Sequence, residues 1–86
     1  MDVASKVIDI LAAQALRDPA TVGLTDSPAA LGLDSLGLVE VIFALEEAFD
    51  IAIPFNANEP GDGGFDISTV GAIIAAVEGL LGQKAA

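Results

Sequence analysis

The sequence contains no cysteine and no histidine, and only three basic residues stand against thirteen acidic ones. Without cysteine there is no disulfide framework and no thiolate nucleophile. Without histidine the chain lacks the commonest general base and the commonest metal ligand. A net charge of -10 argues against nucleic-acid binding, which needs clustered lysine and arginine, and favours partners with a basic surface.

Long hydrophobic runs and a basic N-terminal stretch are also absent. The longest apolar run extends from Val70 to Val77, well short of the roughly 20 residues that a membrane span needs. The sequence starts Met1-Asp2-Val3, unlike the basic start of a signal peptide. We therefore expect a cytoplasmic monomer with no membrane span. At 86 residues we expect one domain, over residues 1–86.

Apolar periodicity predicts three main helices, over about residues 3–16, 35–49 and 68–81. The long connection at 18–33 is expected to pack on the core without regular structure. The Gly-rich segment at 55–66 is expected to be a flexible loop with at most one short helix. The predicted fold is thus all-α, a small bundle of three main helices with long connections.

Capping residues and helix breakers set the expected helix ends. Asp34 is the expected N-cap of the second helix, and Asp18 before Pro19 stops the first. Ser68 is the expected cap of the last helix, and Gly82 its expected end.

The second helix carries two apolar stripes, more than one small core can bury. The stripe expected in the core follows helical spacing and consists of Leu38, Val41, Ile42, Leu45 and Phe49. The other stripe, flanked by Glu40 and Glu47, is expected to contact a partner and consists of Leu36, Val39 and Phe43. On the first helix the apolar face has one polar exception, Gln14.

Ser35 stands in the first turn of the second helix, directly after the capping Asp34. The N–H groups of a helix start are unsatisfied and carry partial positive charge, so a phosphate ester on Ser35 would be stabilised there. Gly32 leaves the serine hydroxyl accessible. An exposed serine beside an apolar stripe therefore predicts an attachment point next to a docking surface.

The motif Leu31-Gly32-Leu33-Asp34-Ser35-Leu36 resembles that of the acyl carrier protein family. The run Ala44-Leu45-Glu46-Glu47, followed by Phe49, Ile53 and Pro54, is similar to the family's as well. The resemblance is strong over residues 31–54, and the other helices match by order and length.

This resemblance implies a small acyl-carrier-like bundle and a phosphoprotein. Ser35 would carry 4′-phosphopantetheine, donated from coenzyme A by a phosphopantetheinyl transferase, and its thiol would hold acyl groups as thioesters. Asp34 would assist the modification by organising magnesium and phosphate. The resemblance also implies partner enzymes with basic docking patches. These would be acyl-ACP synthetases, ketosynthases or acyltransferases of fatty acid and lipid biosynthesis.

The sequence also departs from the family's usual pattern. Gly37 occupies a position that is often acidic, and Ala30 stands where aspartate is usual. The 55–66 segment is longer than usual and is expected to replace or distort the family's short third helix. These differences favour a specialised lipid or secondary pathway over the general fatty-acid enzymes.

Two other functions remain open at this stage. One is a peptidyl or aminoacyl carrier domain, although such domains tend to show a Gly-Gly-His-Ser motif. The other is an unmodified acidic interaction domain, for which Ser35 would be a plain cap residue. An enzyme with Ser35 as nucleophile is not expected, because no base can activate the hydroxyl. No metal site is expected either, because the acidic spacing around Asp62 does not match a calcium loop.

Overall fold

The computed structural model describes residues 2–53 and 66–85, with side chains up to Gly82 in the last helix. The expected Gly-rich loop at 55–66, with its short helix, lies outside the described residues except for Asp66.

Three α-helices make up the described architecture: α1 (Val3–Ala15), α2 (Ser35–Phe49) and α3 (Val70–Ala85). A short 3-10 helix, Pro19–Thr21, lies in the connection between α1 and α2. No strand occurs in the two described ranges. The expected all-α fold is confirmed, and α2 has the bounds that its cap and periodicity predict.

Both ends of α1 follow from local chemistry. The Oδ1 of Asp2 accepts a hydrogen bond from the N–H of Ala4 at 3.4 Å and caps the start. The end lies at Leu16, which takes the left-handed conformation with φ 57°. The N–H of Arg17 donates back to the carbonyl oxygen of Ala12 at 2.9 Å. This is the Schellman arrangement, in which glycine is the usual residue. The helix therefore ends one residue before the expected position, upstream of the proline that was expected to stop it.

The last helix starts two residues and ends four residues later than the expected limits of about 68–81. The helix starts at Val70, because the Oγ1 of Thr69, rather than Ser68, accepts the N–H of Ala72 at 3.1 Å. It also continues through Gly82 to Ala85. Glycine lowers helix propensity by about 1 kcal/mol, but it ends a helix only where the backbone turns left-handed.

Among the described residues, the core consists of aliphatic side chains from all three helices and both connections. Its buried members are Val7, Leu11, Ala12, Val22, Leu31, Val41, Ile42, Leu45, Ile53, Val70, Ile73, Ile74 and Val77. In the predicted α2 stripe, Leu38, Val41, Ile42 and Leu45 are buried and Phe49 is partly buried. Each fully buried aliphatic side chain contributes about 1.5–3 kcal/mol, so these contacts hold the helices together.

Main-chain hydrogen bonds join the long connection to the start of α3. The N–H of Val70 donates to the carbonyl oxygen of Asp26 at 2.8 Å, and the N–H of Gly71 donates to that of Leu24 at 2.9 Å. The Asp26 carboxylate in turn accepts the N–H of Gly23 at 2.8 Å. A Cβ at position 71 would lie 3.2 Å from the Leu24 carbonyl oxygen, so this close approach favours glycine.

Two glycines of α3 provide a matched test of this contact. Gly79→Ala adds a methyl group where nothing lies within 4 Å, so it should stabilise the protein by about 1 kcal/mol through helix propensity. Gly71→Ala should destabilise by about 1 kcal/mol, because the methyl group pushes away the carbonyl oxygen that accepts the hydrogen bond. Urea unfolding of both variants measures the two changes. A similar gain in stability for both would contradict this account of Gly71.

Candidate functional site

Ser35 is the first residue of α2, and it is exposed. The Oδ1 of Asp34 accepts the N–H of Gly37 at 2.8 Å, and the Asp34 carbonyl oxygen accepts the N–H of Leu38 at 2.9 Å. Asp34 is thus the N-cap that the sequence predicts, and it is exposed beside Ser35. The first N–H groups of a helix lack intrahelical acceptors, so an anion attached to Ser35 would meet partial positive charge.

A tight turn over residues 27–33 leads the chain into this site. The N–H of Leu33 donates to the carbonyl oxygen of Pro28 at 3.0 Å, and the N–H of Gly32 donates to that of Ala29 at 3.0 Å. Gly32 has φ 88°, a left-handed value that other residues rarely adopt. The chain reverses at Gly32 and then enters α2 from its N-cap.

Sequence reasoning missed this turn, because the connection was expected to lack regular structure. Its local signal was a capping residue followed by proline, which suits the first position of a helical turn. The Ser27 Oγ accepts the N–H of Ala30 at 3.1 Å, and Pro28 follows it. The same kind of pair, Asp18–Pro19, starts the 3-10 helix. Leu31, only 3% exposed, anchors the turn in the core.

A groove of about 450 Å³ runs beside Ser35, between the turn, the start of α2 and the residues before α3. Leu38 is buried but lies in the wall of this groove rather than in the main core cluster. The lining residues are Ser27, Pro28, Ala29, Leu33, Asp34, Ser35, Leu38, Ile67 and Ser68. The attachment residue that the sequence predicts therefore opens onto a mixed apolar and hydroxyl-bearing surface.

The acidic and apolar residues expected to contact partners form one row along α2. Leu36 and Phe43 are 67% and 62% exposed, and Glu40 and Glu47 are exposed as well. The spacing i, i+4, i+7, i+11 places all four on one face of the helix, with apolar and acidic side chains alternating. Val39, the fifth residue expected here, is half-buried at its side. This α2 row starts at the residue after Ser35.

Two side chains that precede α3 interact at the far wall of the groove. The Oδ1 of Asp66 accepts the N–H of Ser68 at 2.9 Å. The hydroxyl of Ser68 also donates to this carboxylate, and the two bonds hold the pKa of Asp66 below its usual range. Ser68 therefore fixes the turn before α3 rather than capping the helix.

Glu46 has a structural role that the sequence did not indicate. Its Oε2 accepts the N–H of Ile53 at 2.7 Å and so holds the chain that follows α2. The contact joins positions seven apart across the left-handed residue Asp50 that ends α2. A helical pattern therefore cannot reveal it.

The described parts of the chain offer few side chains that could bind a metal ion or act as a catalytic base. Within them, no cluster of acidic side chains is close enough to hold a metal ion. The whole sequence lacks histidine and cysteine, so no side chain near Ser35 can serve as an imidazole or thiolate base. No helix in residues 2–53 or 66–85 is long and apolar enough to cross a lipid bilayer.

Comparison with known families gives a match over most of the chain. Residues 5–77 match a family described as "Phosphopantetheine attachment site". The site geometry described above lies entirely within this range. No solved structure gives a significant match.

Individual relatives support the same grouping. An acyl carrier protein of Amoebophilus asiaticus is 37% identical over 84 residues, which cover 96% of this chain and 98% of the relative. One from Prochlorococcus marinus is 48% identical over 52 residues, covering 60% of this chain and 58% of the relative. Nodulation protein F of Rhizobium leguminosarum bv. trifolii is 33% identical over 72 residues, covering 80% of this chain and 75% of the relative.

Ser68→Ala should raise the pKa of Asp66 towards its ordinary value, because the hydroxyl hydrogen bond to the carboxylate is lost. The pKa should return only part of the way, since the Ser68 N–H still donates to the Asp66 carboxylate. The stability lost in the variant should be largest above the ordinary aspartate pKa and should vanish as the pH falls through the pKa of folded Asp66. An NMR titration of the Asp66 carboxyl carbon measures the shift, with Ser5→Ala as control. An unchanged pKa in Ser68→Ala would contradict this account.

Proposed function

This chain belongs to the acyl carrier protein family, whose members carry a covalent 4′-phosphopantetheine arm, and we propose that Ser35 is the residue to which the arm is attached. The observation that carries the proposal is the exposed residue Ser35 at the first position of α2. It stands in the family's motif and inside the matched range, residues 5–77.

The residues around Ser35 suit a phosphate ester. The start of α2 offers partial positive charge and N–H donors to a phosphate. The groove beside Ser35 can receive part of a long, mostly uncharged arm. Asp34 is committed to the cap through one carboxylate oxygen, and we propose that its exposed carboxylate assists modification by helping to organise magnesium and phosphate.

The chain is a carrier and not an enzyme. When bound, the arm supplies a terminal thiol that holds acyl groups as thioesters. On modification, the Ser35 oxygen would form a bond to the phosphorus of the arm, the pyrophosphate bond of coenzyme A would break, and adenosine 3′,5′-bisphosphate would leave. The Ser35 proton would pass to a base of the separate transferase. The chain's own residues hold the attachment point in place and present it to partner enzymes.

We propose that the α2 row is the docking surface for those enzymes. Two exposed apolar side chains, Leu36 and Phe43, alternate with two carboxylates, Glu40 and Glu47, starting next to Ser35. Exposed apolar groups with acidic neighbours fit a partner patch of apolar and basic residues. The partners would be the phosphopantetheinyl transferase and acyl-handling enzymes such as synthetases, ketosynthases or acyltransferases.

We propose further that these partners belong to a specialised lipid or secondary pathway. Gly37 leaves the first turn of α2 without the acidic side chain that fatty-acid carriers often have there. The similarity to a protein named Nodulation protein F, across 80% of this chain, supports a specialised role. We also propose that residues 1–86 act as one domain, monomeric and in the cytoplasm.

Incubation with coenzyme A and a promiscuous phosphopantetheinyl transferase tests the attachment residue. Intact-mass analysis should show one added arm on the wild type and none on Ser35→Ala, because the ester needs that hydroxyl. Ser27→Ala, a serine of the same groove, is the matched control and should still gain one arm. An arm on Ser35→Ala would assign the site elsewhere. No arm on the wild type with any transferase would leave an unmodified interaction domain as the better description.

Gly37→Glu tests the specialised partner set. Once the arm is loaded, the added carboxylate should raise kcat/KM with a ketosynthase of general fatty-acid synthesis by roughly two- to fivefold. A Cβ at position 37 would lie 3.3 Å from the Oδ1 of Asp34, so this capping oxygen must shift by a few tenths of an ångström, and thermal unfolding of the variant checks that the start of α2 is kept. Gly79→Glu adds the same charge to α3 and should leave kcat/KM unchanged. Wild-type activity already as high as that of a general fatty-acid carrier would contradict the specialised assignment.

A further inference from the structure

Gln14 is the polar exception on the apolar face of α1, and the structure shows what it contacts. Its Nε2 donates a hydrogen bond to the Oε2 of Glu40 at 2.7 Å. The two residues lie 26 positions apart, so the bond crosses from α1 to α2. A hydrogen bond to an ionised carboxylate is stronger and better oriented than one between neutral groups.

Joining the two helices does not require this bond. Buried aliphatic residues such as Leu11 and Leu45 already pack α1 against α2. The contact is exposed to solvent, where a hydrogen bond adds little to folding stability. Its main effect is on Glu40 itself, because a glutamate side chain otherwise samples many rotamers.

Glu40 occupies the middle of the α2 row, between Leu36 and Phe43. A partner cation that pairs with a mobile carboxylate must order that side chain during binding, which weakens affinity. A carboxylate already held from α1 avoids that cost. The bond uses Oε2 of Glu40 and not Oε1, and Glu40 is an exposed residue.

We propose that Gln14 is a positioning residue for docking, which holds the Glu40 carboxylate in the orientation that a basic residue of the partner enzyme meets. This inference rests on the proposed function of the α2 row. It extends the determinants of docking from α2 to α1 without placing Gln14 itself in contact with the partner.

A double-mutant cycle with the phosphopantetheinyl transferase tests the proposal. Wild type, Gln14→Ala, Glu40→Gln and the double variant are compared by the kcat and KM of arm transfer. Gln14→Ala should raise KM by about two- to tenfold and leave kcat unchanged, as expected when one long side chain must be ordered on binding. In the Glu40→Gln background the same change should have no further effect, because the charge to be positioned is gone.

Two controls separate positioning from a general structural role. Glu78→Gln removes an exposed carboxylate from α3 and should leave the effect of Gln14→Ala at its full size. Thermal unfolding of each variant should remain close to that of wild type. Gln14→Glu should raise KM at least as much as Gln14→Ala, because it cannot donate and repels Glu40.

The outcomes distinguish this inference from the proposed function. A wild type that is modified normally, with the same KM for Gln14→Ala, would overturn the positioning role alone. An equal rise in KM in both backgrounds would also overturn it, because the effect would not pass through Glu40. A wild type that no transferase modifies would remove the proposed function and this inference with it.

Discussion

The hydrogen bonds from the start of α3 to the carbonyl oxygens of Leu24 and Asp26 are the constraint on which the site depends. The connection between α1 and α2 is long, and ordering it costs conformational entropy. These bonds, with the burial of Val22 and Leu31, hold it against the bundle. The turn at 27–33 then faces the residues before α3, and the groove beside Ser35 lies between them.

The parts of the structure that the sequence could predict are those with local, repeated signals. The bounds of α2 follow from the Asp34 cap and a long apolar pattern, and the exposure of Leu36 and Phe43 follows from the surplus stripe. The attachment role expected of Ser35 follows from the short motif at residues 31–36. Each of these signals lies within one helix or in the few residues that lead into it.

The parts that could not be predicted depend on contacts between distant positions or on backbone conformation. The limits of α3 were misjudged because Thr69 competes with Ser68 for the same capping role, and because a glycine in sequence does not reveal its φ. The groove could not be foreseen, since its walls come from three separate segments. The contacts of Glu46 and Gln14 likewise bring together groups that no helical spacing relates.

Charge and packing have different roles in this small carrier. Aliphatic burial provides the main packing between the described helices, and no charged side chain of the described residues is buried. A net charge of -10 repels other copies of the chain, and charge complementarity in general accelerates encounter more than it prolongs binding. A carrier that must leave one enzyme for the next benefits from that balance. The α2 row places carboxylates and exposed apolar groups together, next to Ser35.

The acceptors that anchor the long connection to α3 are main-chain carbonyls, and any amino acid supplies one. Neither Leu24 nor Asp26 uses its side chain to receive the α3 donors, and the N–H groups of Gly32 and Leu33 in the turn also donate to main-chain carbonyls. Natural variation can therefore exchange exposed side chains such as Thr25, or Ala29 at the rim of the groove, while the backbone path stays the same. Such substitutions would let related carriers differ in cargo and in partner enzymes. Sequence identity in this region would then understate how similar their backbones are.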